Sequence, residues 1–186
     1  MNRAKKIILI VFAILLVVVS IYLGCVEFPS TGPSEVEEAS AAAEIAPDVL
    51  LDMDKMVVAT GLDALQRVKQ SHVGSIEHVK DVAIVHYMRE DGMLTLWTTL
   101  YQNDTIARTE NDKMAVGMQK WGGSWASDLK EHTIAGKQVY QTSSGNLSHY
   151  FWADREWIFY IIPHNFTQEE TTEIICATTL TLQERT

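Results

Sequence analysis

The residue types that could do chemistry in this chain of 186 residues are mainly six histidines, two cysteines and three Asn-x-Ser/Thr triplets. His72 and His78 are six apart and straddle Gly74. His86 alternates with Val82, Ile84 and Met88, His149 shares a face with Phe151, and His132 and His164 fall at the ends of elements. A helix brings two imidazoles to one side at i, i+4 and a strand does so at i, i+2, which are the spacings that hold a transition metal. No histidine pair has either spacing, so each reads as a core or surface residue. Metal binding or catalysis would need three of His72, His86, His132 and His149 gathered by the fold beside a carboxylate. The expectation is no metal, no cofactor and no catalytic residue. Cys176, between Ile175 and Ala177, reads as a buried and inert thiol.

Nucleotide and hydrolase signatures are missing. There is no Gly-rich phosphate loop, no GxSxG elbow and no HExxH. Gly122-Gly123-Ser124 follows a helical pattern, the wrong polarity for a phosphate cradle at a helix start. The same stretch separates Trp121 from Trp125. Two rings on a flexible loop suit a carbohydrate, a peptide or a membrane surface, unless both close over the core. Asn103-Asp104-Thr105, Asn146-Leu147-Ser148 and Asn165-Phe166-Thr167 are sequons. Asn103, Asn146 and Asn165 are glycosylation candidates if the domain lies outside the cytoplasm, although Asn103 and Asn165 suit turns and helix entries in their own right.

Charge narrows the partners. Fifteen Lys and Arg stand against 24 Asp and Glu, a net charge of -9. Arg3, Lys5 and Lys6 are the only basic residues before Lys55, and without them 12 basic groups face 24 acidic ones. So acidic a body excludes nucleic acid, whose phosphates need clustered cations. Two cysteines allow at most one disulfide, which excludes a disulfide scaffold.

Residues 7–26 read IILIVFAILLVVVSIYLGCV without a charge. At about 1.5 Å per residue that run spans about 30 Å, the thickness of a hydrocarbon core. The basic flank predicts a cytoplasmic N-terminus and everything after Glu27 outside. Gly24-Cys25 at the end of the run also fits a lipoprotein signal, with the thiol of Cys25 as lipid acceptor, although Tyr22 and Leu23 depart from that pattern. Residues 1–26 are thus an anchor or signal segment. Residues 27–47, EFPSTGPSEVEEASAAAEIAP, have the acidic Ser/Pro/Ala composition of a linker. Residues 48–186 form the extracytoplasmic domain.

Within that domain the spacing of Leu51, Val58, Leu62, Leu65 and His72 predicts a helix over 50–72, broken near Thr60. Residues 80–89 and 93–101 predict a hairpin around Glu90-Asp91-Gly92, apolar on both faces and so inside the sheet. A helix follows from Asp104 to Trp121. Strands are predicted over 134–141, 147–152 and 157–162, with Trp152 facing Trp157, Tyr150 facing Phe159 and His149 facing Tyr160. Thr167 and Glu170 form a capping box for a last helix. The order α-β-β-α-β-β-β-α predicts an α+β two-layer sandwich. It has an antiparallel sheet of about five strands, helices on one face and a transmembrane helix in front.

The run ending in Leu-Gly-Cys25, the Glu/Ser/Pro spacer, and the HYFW of residues 149–152 followed by WIFYII of residues 157–162 together resemble small archaeal membrane-tethered or lipoprotein-like surface proteins. The resemblance spans the chain and implies a location without an activity. The expected function is a binding or scaffolding module outside the cytoplasm. Its partners would be the membrane through the N-terminal segment and a protein or other component of the cell envelope. An extracytoplasmic enzyme or metal-binding protein built on gathered histidines is the alternative.

Overall fold

The computed structural model describes residues 40–71, 76–121, 123 and 128–184. They belong to one compact unit whose boundary falls at Ala39. The elements are α1 (Ala41–Ile45), β1 (Val49–Leu50), β2 (Met53–Thr60), α2 (Gly61–Ser71), β3 (Val79–Met88), β4 (Met93–Tyr101), α3 (Asp104–Trp121), β5 (Lys130–Ile134), β6 (Lys137–Ser144), β7 (Leu147–Asp154), β8 (Trp157–His164) and α4 (Gln168–Glu184). All eight strands form one antiparallel sheet in the order β1-β2-β3-β4-β8-β7-β6-β5.

This corrects the expected fold. The sheet has eight strands instead of about five. The expected helix over 50–72 is a helix only from Gly61. Before it, Leu51 and Asp52 adopt positive φ and turn β1 back onto β2, while Val57, Val58 and Thr60 suit an extended chain better than a helix. The single strand expected over 134–141 is two strands, β5 and β6. Ala135 and Gly136, at φ 50° and 74°, make the tight turn between them. The segment expected to cross the membrane, residues 7–26, lies outside the described residues, and among the described residues no helix is long and apolar enough to cross a membrane.

Helices cover both faces of the sheet, not one. Strand residues alternate, so Val82, Ile84 and Trp97 face one way while Ala83, Val85, Tyr87, Leu94 and Leu96 face the other. Both sets are apolar and both must be removed from water. α2 closes over Val82 and Ile84 with Ala64 and Val68, and α3 brings Ala107 onto Tyr101 and Ile158. On the opposite face α1 and α4 bring Ala42, Ile45, Ile174 and Ile175 against Tyr87, Leu96, Trp152, Phe159 and Ile161.

α1 falls in the stretch with linker composition, and polar bonds hold it in place. Asp81 Oδ2 accepts from Ser40 Oγ at 2.8 Å and from the Ala42 amide at 2.9 Å. At the other end Lys55 Nζ donates to the carbonyls of Ala43 and Ala46 at 3.2 and 3.0 Å, and the Tyr87 hydroxyl donates to Pro47 O at 2.6 Å. These contacts satisfy helix-end groups that would otherwise be buried without partners.

The register of the aromatic hairpin also differs from expectation. Trp152 pairs with Phe159, Tyr150 with Ile161 and Phe151 with Tyr160. β7 continues to Asp154, and the turn is the two residues Arg155-Glu156 instead of four. The slip is two residues, so every side chain keeps its face.

Candidate functional site

An open cleft of about 750 Å³ lies at the end of the sheet where β4 leads into α3. One wall is the β4–α3 connection, with Tyr101, Gln102, Asn103 and Asp104, and α3 adds Arg108. The facing wall is the β7–β8 turn with Asp154, Arg155, Glu156 and Trp157, to which β6 adds Lys137, while Lys80 lies on β3 beside the end of β4. A backbone bond from the Tyr101 amide to Glu156 O, 2.8 Å, ties the two walls. Asn103 caps α3, its Oδ1 accepting from the Ile106 amide at 2.9 Å. Arg155 holds the opposite turn at φ 54°.

The charges in the cleft divide into committed and uncommitted groups. Lys137 Nζ lies 2.6 Å from Asp154 Oδ1, and Arg108 lies 3.5 Å from Asp104. Lys80, Gln102 and the carboxylate of Glu156 make no side-chain hydrogen bond or ion pair among the described residues. Tyr101 is buried, and burial together with the negative charge of Glu110 pushes its phenol pKa up, so it enters the site as a neutral hydroxyl.

Below the cleft runs a ladder of four rings on one face of four adjacent strands. Trp97 stacks on Tyr160 at 4.9 Å, Tyr160 on Phe151 at 6.0 Å and Phe151 on Tyr140 at 5.1 Å. The Tyr160 hydroxyl bonds to His149 Nδ1 at 2.8 Å. Burial lowers the pKa of His149, which favours the neutral ring, and raises that of Tyr160. The ladder ties β4, β8, β7 and β6 together on that face.

Among the described residues, His86, His132 and His149 do not gather. His86 and His149 share a face but sit on β3 and β7, separated by β4 and β8. Three strand spacings amount to about 14 Å, beyond what one ion bridges. His132 is on the opposite face of the edge strand β5, its Nε2 2.8 Å from Gln141 Oε1. His72 lies outside the described residues. Among the described residues no group of His, Cys, Asp and Glu could hold a metal ion.

The remaining sequence candidates are dispersed. Trp121 is 71% exposed, with Lys120 Nζ 5.7 Å from its ring. Trp125 and Cys25 lie outside the described residues, and Cys176 is a partly buried free thiol. Asn103, Asn146 and Asn165 are all exposed. Sequence reasoning missed the Lys137–Asp154 pair and the cleft around it. The available signal was Ala135-Gly136, a turn that makes Lys137 the first residue of a strand. No family model, no curated protein and no solved structure matches this chain.

Proposed function

We propose that this chain is a membrane-tethered, extracytoplasmic binding module whose ligand sits in the cleft between the β4–α3 connection and the β7–β8 turn. The observation that carries this reading is the set of uncommitted groups there: the ammonium of Lys80, the carboxylate of Glu156 and the amide of Gln102. Such a set is complementary to a small ligand bearing both charges, of which a peptide with free termini is the simplest case. The location rests on Arg3, Lys5 and Lys6 before the apolar run of residues 7–26, and on the resemblance to archaeal tethered surface proteins. The chain enters the domain at Ser40, which bonds Asp81 beside Lys80, so the entry lies at the cleft end of the sheet.

Two experiments test the two parts. Titrating the isotope-labelled protein with the zwitterionic dipeptide alanyl-alanine should shift the amide resonances of Lys80, Gln102 and Glu156 saturably. Lys80→Gln and Glu156→Gln should each weaken the response. Absence of any shift at millimolar dipeptide overturns the ligand class. Protease added to intact cells should remove the domain, and protection of the domain overturns the location.

A further inference from the structure

We propose that Asn146 carries an N-linked glycan and that Asn165 does not, an inference that rests on the extracytoplasmic location above. The two share the sequon pattern but not the same surroundings. Asn146 is the second residue of the two-residue β6–β7 turn, exposed, after Gly145 at φ 61°. Its carboxamide has no hydrogen-bond partner among the described residues, so Nδ2 is open to an incoming reagent. Asn165 is held. Its Nδ2 donates to Asp91 O at 2.5 Å, its own carbonyl accepts from Arg89 Nη2 at 2.8 Å, and its backbone sits at φ 64°. A sugar on that nitrogen would crowd the Asp91 carbonyl and the Arg89 cluster that joins the β3–β4 turn to α4.

Position in the fold agrees with this assignment. The β6–β7 turn is at the opposite end of the sheet from the β7–β8 turn. A glycan on Asn146 therefore leaves the cleft open and points away from the end at which the chain enters at Ser40.

The co-reactant is a sugar linked through phosphate to a polyprenyl lipid on the outer leaflet. Asn146 Nδ2 bonds to the anomeric carbon as the bond from that carbon to the phosphate oxygen breaks. The electron pair leaves with the lipid phosphate, and the proton lost from Nδ2 goes to a base on the transferase.

The test uses the full chain, recovered from cells that N-glycosylate proteins on the outer membrane face. Peptide mass spectrometry reads occupancy at both asparagines, and protease treatment of the same intact cells reads topology. The expected result is a hexose-bearing Asn146 peptide in most copies, a bare Asn165 peptide, and loss of the mass increment in Asn146→Gln. A bare Asn146 on a protease-accessible domain overturns the glycan and leaves the location standing. Equal occupancy of Asn165 overturns the structural selection. A protected domain overturns the location and the glycan together.

Discussion

Lys137 and Asp154 meet at 2.6 Å across β6 and β7, with the Asp154 side chain 4% exposed and that of Lys137 30% exposed. Their placement follows from two tight turns, Ala135-Gly136 and Arg155-Glu156, which set where β6 begins and β7 ends. Removing the cation leaves a carboxylate buried without its counter-charge. Lys137→Ala should cost about 3 kcal/mol, the low end for a broken buried pair because the lysine is partly wet. The double variant with Asp154→Ala should recover part of that loss. Urea unfolding with an unchanged m-value measures both, and a Lys137→Ala midpoint equal to that of the parent refutes the pair.

Arg89 clamps the β3–β4 turn to the start of α4, reaching Glu170 at 2.6 Å and lying 4.2 Å above the Phe166 ring. The Arg89 hydrogen bond, then that from the Thr167 amide, lowers the Glu170 pKa to about 2. A carboxylate with a depressed folded pKa adds stability that is present above its unfolded value, near 4.5, and is lost as pH falls toward 2. Glu170→Gln should therefore flatten the stability profile between those two values and leave its shape at neutral pH unchanged. Thermal melts at stepped pH read this directly. An acid limb as steep as the parent's would exclude Glu170 as a contributor.

Phe159 is fully buried and stacks on Trp152 at 5.3 Å, whereas Trp121 is 71% exposed. Phe159→Ala should lose about 3–5 kcal/mol, the usual cost of removing a buried ring. Trp121→Ala should stay within about 0.5 kcal/mol, as exposed positions do. The two melting temperatures, compared with the parent, decide the matter. Similar losses would mean that Trp121 packs against the domain.

A chain beginning at Ala39 should fold cooperatively, because it retains α1. One beginning at Asp48 lacks Ala42, Ile45 and Ala46, all buried, and uncovers the face around Tyr87. It also strands Lys55, whose ammonium bonds α1 carbonyls. The shorter chain should unfold at clearly lower urea, as followed by circular dichroism. Equal midpoints for the two would show that α1 contributes nothing to the core.

The faces of β7 and β8 were legible in the residues themselves. Tyr150, Trp152, Trp157 and Phe159 share one face because alternation is a local property of an extended chain. Their partners across the ladder were not legible. A slip of two residues keeps the pattern intact, and only the two-residue turn, with Arg155 at φ 54°, selects the register. The residues of β2 carry a misleading helical spacing for a related reason. Leu51, Val58, Leu62 and Leu65 fit a helical spacing, but Leu51 and Asp52 take left-handed φ and end any helix there.

By itself the sequence determined the acidic surface, the apolar N-terminal run, the central β3–β4 hairpin and the caps of α3 and α4. Each depends on neighbours within a few residues, where covalent geometry and local hydrogen bonding act. Tertiary structure decided the rest. α1 has the composition of a linker and is a core helix because Ala42 and Ile45 bury against the sheet while Asp81 and Lys55 hold its ends. The cleft joins Lys80 to Glu156, 76 positions apart, through the order of strands in the sheet. That order is set by which apolar faces bury one another, a long-range balance that no short window of residues contains.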